Sequence, residues 1–128
     1  MKILLVEDQE LNIDMIARRL RRRGFNVDVA IDGETALSKT EAELYDLVLL
    51  DIALPGISGL EVATRMKSDD RTRSTPVIAL TAHALKGDRD RAIAAGCDAY
   101  ATKPIDFEGL MTQISQLVAQ EERNGGLV

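Results

Sequence analysis

The sequence predicts an α/β domain built as a doubly wound parallel sheet with helices on both faces. Three observations predict it. Short apolar runs alternate with amphipathic stretches along the whole chain. The runs are continuously apolar rather than alternating, as strands buried on both faces require. The length, 128 residues, suits one compact domain that can bury a core without disulfides or a structural metal.

Ile3–Val6 (ILLV) reads as the first strand and stops at the acidic pair Glu7-Asp8. From Glu10 to Arg23, Leu11, Met15, Ile16 and Leu20 recur at helical spacing, and Gly24 follows where a helix-ending glycine belongs. Val27–Ala30 is the second strand. Asp32 can cap a helix carrying Ala36, Leu37 and Thr40 on one face. Leu47–Leu50 (LVLL) is the most apolar run and ends on Asp51. Pro55, Gly56 and Gly59 mark a turn-rich loop, and a helix from about Ser58 to Ser68 carries Leu60, Ala63 and Met66. Pro76–Leu80 is the fourth strand, ending on Thr81. Lys86–Ala95 reads as a weakly patterned helix ended by Gly96, and Ala99–Thr102 as a short fifth strand before a Lys103-Pro104 turn. Phe107, Leu110, Met111, Ile114, Leu117 and Val118 form the clearest amphipathic helix. We expect a folded unit over 1–121 and a frayed tail over 122–128.

Composition narrows the function. Aromatics are 3% of the chain and Trp is absent, which argues against a stacking platform for single-stranded nucleic acid. Net charge is −5 and nothing forms a recognition motif, so no nucleic-acid partner is expected. Cys97, the one cysteine, sits among small residues in AAGCDAY and reads as a core filler. No run of 18 apolar residues occurs, and MKILLVEDQE turns acidic too soon for a signal peptide. The expectation is a soluble cytoplasmic protein with no membrane contact.

In an open α/β sheet, ligands bind beyond the carboxyl ends of the strands. Here the first strand ends in Glu7-Asp8, the third in Asp51, the fourth in Thr81 and the fifth in Lys103-Pro104. The second ends in Ala30-Ile31 and brings nothing reactive. Converging carboxylates repel, so one protonates or a cation joins them. Oxygen ligands without His or Cys suit Mg²⁺, which also accepts a phosphate oxygen. Asp51, ending the most buried strand, is the candidate nucleophile toward phosphorus. Lys103 offers a point charge and Thr81 a hydroxyl donor to the transferred oxygens.

The ordered set of Glu7-Asp8, Asp51, Pro55 and Gly59 in DIALPGISG, Thr81-Ala82 and Lys103-Pro104 resembles the receiver domain of bacterial response regulators. The resemblance runs from Lys2 to about Val118. VEDQELN and TAHALKGDRDRAIAAGCDAYATKPI are most similar to stand-alone cell-division-control (DivK-like) receivers and to receivers of hybrid histidine kinases. The resemblance implies a flavodoxin-like, CheY-like five-stranded sheet in the order 2-1-3-4-5. It implies Asp51 as phosphoacceptor, with Mg²⁺ on Glu7, Asp8, Asp51 and the backbone carbonyl of Ala53. It implies a cis peptide before Pro104 that aims Lys103 into the site, and Thr81 and Tyr100 as the switch pair. The changing surface would run from about Ala84 to Ile105. Glu7 stands where many receivers carry Asp, and Ala53 and His83 occupy the two variable rim positions tied to dephosphorylation.

The implied partners are a sensor histidine kinase or histidine phosphotransfer protein, then a downstream protein target. The chain would be a monomer or weak dimer, and no enzyme beyond self-phosphorylation and slow hydrolysis. A true aspartate-nucleophile phosphatase typically needs a second acid two residues after the nucleophile, where Ala53 stands. A flavodoxin-like cofactor binder would want a phosphate-cradling loop after the first strand, where EDQELN stands instead. A degenerate receiver acting only as a docking module is the remaining alternative. His83 reads as a solvated rim residue. The arginine run 18–23 reads as a solvated helix end, or else as a docking patch with Leu11, Asn12 and Met15.

Overall fold

The computed structural model describes residues 1–82 and 86–125, with side chains described at all of these except 86 and 121–125. Strands and helices alternate throughout: β1 (Lys2–Val6), α1 (Glu10–Arg22), β2 (Asn26–Ala30), α2 (Gly33–Ala42), β3 (Leu47–Asp51), α3 (Gly59–Ser68), β4 (Val77–Thr81), α4 (Lys86–Ala94), β5 (Ala99–Thr102) and α5 (Phe107–Gly125). All four strand pairings are parallel and the order is β2-β1-β3-β4-β5. This is the flavodoxin-like order implied by the resemblance. Its direction of winding reverses between β1 and β3, so a crevice opens above the ends of those two strands.

Burial explains the continuous apolar runs. Every residue of β3 and β4 is buried, because helices cover both faces. On one face Ile16, Ala17 and Leu20 of α1 and Leu110 and Ile114 of α5 pack against Ile3, Leu5, Leu47 and Leu49. On the other, Ala36 of α2, Val62, Ala63 and Met66 of α3 and Ala92 of α4 pack against Leu4, Val6, Val48 and Leu50. Burying each large aliphatic side chain stabilises the fold by about 1.5–3 kcal/mol. Cys97 is buried as expected, and burial pushes its thiol up to about 11.

The helix starts follow capping chemistry. Asp32 accepts from the Thr35 N–H at 2.7 Å and Ser58 from the Glu61 N–H at 3.2 Å, each satisfying a donor that the first helical turn leaves unpaired. Gly24, at φ +91°, ends α1 in the left-handed region. The apolar residues of α1 divide between two faces. Leu11 is 86% and Met15 40% exposed, and the inward stripe is Ile16, Ala17 and Leu20. At 100° per residue, Leu11 and Met15 lie on the far side of the helix from the centre of that stripe. The helix α5 runs on past residue 121 as far as Gly125. No helix among the described residues is long and apolar enough to cross a membrane.

Candidate functional site

β1 is hydrogen-bonded between β2 and β3, and the residue after it, Glu7, donates its backbone N–H to Ala30 at 3.0 Å. This delivers the Glu7 side chain, with no exposed surface, to the crevice. Asp51 ends β3, also buried, while Asp8 is exposed at the rim. One carboxylate oxygen from each of Glu7, Asp8 and Asp51 can be chosen so that all lie within 4.8 Å of one another. From the far side, the Lys103 Nζ lies 3.0 Å from both Glu7 oxygens and 3.0 Å from Asp51 Oδ2. The Lys103–Pro104 peptide is cis, as the resemblance implies. The Lys103 backbone N–H donates to the Thr81 carbonyl at 2.6 Å, tying the end of β5 to the end of β4.

The electrostatics of this cluster are set by burial. Desolvation, followed by the neighbouring Asp51 carboxylate, pushes Glu7 up to about 7, against the downward pull of Asn12 and Lys103. Burial also opposes the Lys103 charge, but its bonds to Glu7 and Asp51 prevail and hold its pKa above the ordinary lysine value. With all three acids ionised, three negative charges face one ammonium, a surplus of two. A divalent cation with a preference for hard oxygen ligands fits that surplus and that donor set.

Of the residues singled out in the sequence, Glu7, Asp8, Asp51 and Lys103 come together. Thr81, buried, closes β4 on the same sheet edge. Tyr100 on β5 stands opposite Ala79, two residues before Thr81, so both side chains point to the α2–α4 face. Tyr100 is half-buried against the apolar cluster there. Ala53 meets Asp51 through its N–H, which donates to Asp51 Oδ1 at 2.9 Å. His83 and the start of the 84–105 surface lie outside the described residues. The arginine run is partly engaged on the surface: Arg18 pairs with Asp14, Arg23 with Glu108, and Arg19 and Arg23 lie over the Phe107 ring.

Sequence reasoning missed one member. Asn12, a contact candidate only in the alternative docking-patch reading, turns inward, and its Nδ2 donates to Glu7 Oε1 at 2.8 Å. The available signal was its position: the first turn of α1 begins close behind the Glu7-Asp8 strand end, and an amide there can turn back to it.

The comparisons agree with this geometry. Residues 3–115 match the family profile described as the response regulator receiver domain. The chain is 43% identical over 103 residues to the polar-differentiation response regulator DivK of Brucella anthropi, covering 80% of this chain and 84% of that protein. It is 37% identical over 138 residues to hybrid signal transduction histidine kinase I of Dictyostelium discoideum, covering 99% of this chain but only 8% of that kinase. Among solved structures, it superposes on the receiver domain of the sensor histidine kinase PA1611 from Pseudomonas aeruginosa with a TM-score of 0.87 and 35% identity, covering 92% of this chain and 97% of that one. That structure holds a magnesium ion in its active site cleft. The chain therefore belongs to the response regulator receiver family. It is a two-component signalling domain, similar both to most of the length of a response regulator and to a small part of a hybrid kinase.

Proposed function

We propose that this chain accepts a phosphoryl group on Asp51 and passes the signal on through protein contacts. The observation that carries this reading is the meeting of Glu7, Asp8 and Asp51 within 4.8 Å, with Lys103 at 3.0 Å from the buried pair. An Asp51 carboxylate oxygen forms the new bond to phosphorus, and the donor's bond to phosphorus breaks with its electron pair leaving on the donor. Lys103 faces the oxygens where negative charge gathers, and the Thr81 hydroxyl donates to the phosphoryl group once it is attached. Glu7, Asp8, Asp51 and the Ala53 carbonyl would hold Mg²⁺. Bound there, the ion would neutralise the carboxylates and the transferred oxygens.

Thr81 and Tyr100, on one face of adjacent strands, are the pair through which a new charge at Asp51 would reach the 84–105 surface. The donor would be a sensor histidine kinase or histidine phosphotransfer protein, and the output a protein target on that surface. The functional unit would span 1–121, with the 122–128 tail outside it, in the cytoplasm and as a monomer or weak dimer. Catalysis would extend no further than self-phosphorylation and slow hydrolysis.

The test is intact-mass spectrometry after incubation with acetyl phosphate, with and without Mg²⁺. The native chain should gain one phosphoryl mass only when Mg²⁺ is present, and Asp51→Asn should gain none. A native chain that stays unmodified would instead favour a module that only docks.

A further inference from the structure

We propose that Asn12 is a positioning residue for the cation site, holding the Glu7 carboxylate in place for the ion. The inference rests on the phosphoacceptor reading and extends it to a residue outside the acidic cluster. The Asn12 Nδ2 donates to Glu7 Oε1 at 2.8 Å and to Gln9 Oε1 at 3.1 Å, which uses both of its N–H groups and fixes the amide's orientation. Its backbone is in the first turn of α1, so the donor comes from a rigid element with a short side chain.

Glu7 needs such a hold more than a shorter acid would. Its arm carries one more rotatable bond than aspartate, and it is buried without an exposed atom surface to settle on. Lys103 also holds it, lying 3.0 Å from both Glu7 oxygens and shared with Asp51. A carboxylate held by Lys103 alone is drawn toward a competing cation. A carboxylate also held by a neutral amide keeps its position with no added positive charge to repel the metal. Groups that orient a metal ligand from behind typically change affinity when removed, even though they never touch the ion.

The experiment compares the native chain with Asn12→Ala, Glu7→Asp and the double variant. Mg²⁺ is titrated by calorimetry, and acetyl phosphate incorporation is followed across Mg²⁺ concentration. Asn12→Ala should raise the Mg²⁺ dissociation constant about tenfold or more while leaving the rate at saturating Mg²⁺ within about twofold, a split that general loosening would not give. In the Glu7→Asp background, whose carboxylate is one methylene further from the amide, Asn12→Ala should change nothing more. An unchanged constant in Asn12→Ala, or an equal rise in both backgrounds, overturns the inference. A native chain that binds no Mg²⁺ overturns the phosphoacceptor reading and this inference with it. Asn12→Ser, too short to span the same gap, replaces the alanine variant if that one does not fold.

Discussion

A glutamate with no exposed surface, set against two aspartates, gains charge only at a cost. Burial and Asp51 push Glu7 up to about 7 from an ordinary value of 4.5. The folded form thus binds this proton more tightly than the unfolded chain does. The resulting stability is fully present below about 4.5 and is lost as pH rises through about 7. Glu7→Gln, which mimics the protonated side chain, should therefore be more stable than the native chain at pH 8 by on the order of 2 kcal/mol. The gap should close at pH 5. Calorimetric melts in chelator at the two pH values read this directly. A gap of equal size at both would mean that Glu7 titrates like an ordinary surface acid. The same residue shows what a sequence hides: the acidic pair is visible as a strand ending, but burial, and with it the altered proton affinity, comes only with the fold that brings Asn12, Asp51 and Lys103 against it.

The element that positions Asp51 from behind is the start of α3. A Cβ on Gly59 would sit 2.3 Å from the Asp51 carbonyl oxygen and 2.6 Å from the Ile52 Cα, both backbone atoms with nowhere to go. The Gly59 N–H donates to the Ile52 carbonyl at 3.1 Å, so the helix start and the end of β3 are locked at this close approach. Gly59→Ala should destabilise the fold by about 2 kcal/mol or more, read as a lower urea midpoint, and should slow acetyl phosphate incorporation because Asp51 moves with its own backbone. Elements with a local cause were the legible ones. Asp32 and Ser58 cap helices by side-chain bonds within three residues, and the apolar stripe of α5 buries Leu110 and Ile114 as its spacing requires. The rotation of α1 was not legible, because Leu11 and Met15 share its helical spacing yet lie off its inward stripe. The inward turn of Asn12 was hidden with it, since nothing in a residue's type says which way an amphipathic helix is rotated.

At the scale of the whole molecule, the parallel sheet sets the proposed site and a structural brace at opposite edges. Glu7, Asp51, Thr81 and Lys103 all follow or close strands at the carboxyl edge. At the opposite edge Lys67 of α3 donates to the Thr75 carbonyl at 2.8 Å and the Arg73 carbonyl at 3.1 Å, and pairs with Asp98 Oδ2 at 3.0 Å. The same Asp98 oxygen accepts the Val77 N–H at 2.8 Å, so one lysine ties α3 to the start of β4 and the approach to β5. Removing it leaves two carbonyls and a carboxylate short of a donor, with partial access to water to soften the loss. Lys67→Ala should therefore lower stability by on the order of 1–2 kcal/mol, seen as a drop of several degrees in Tm. The strand length between the two edges is four to five residues, about 15 Å at the rise of a β-strand, beyond the reach of direct contact and of most screened charge effects. Phosphoryl incorporation by the folded variant should accordingly stay within about twofold of the native rate. A rate that falls in step with stability would mean that the two edges move together, and that the sheet transmits between them rather than keeping them apart.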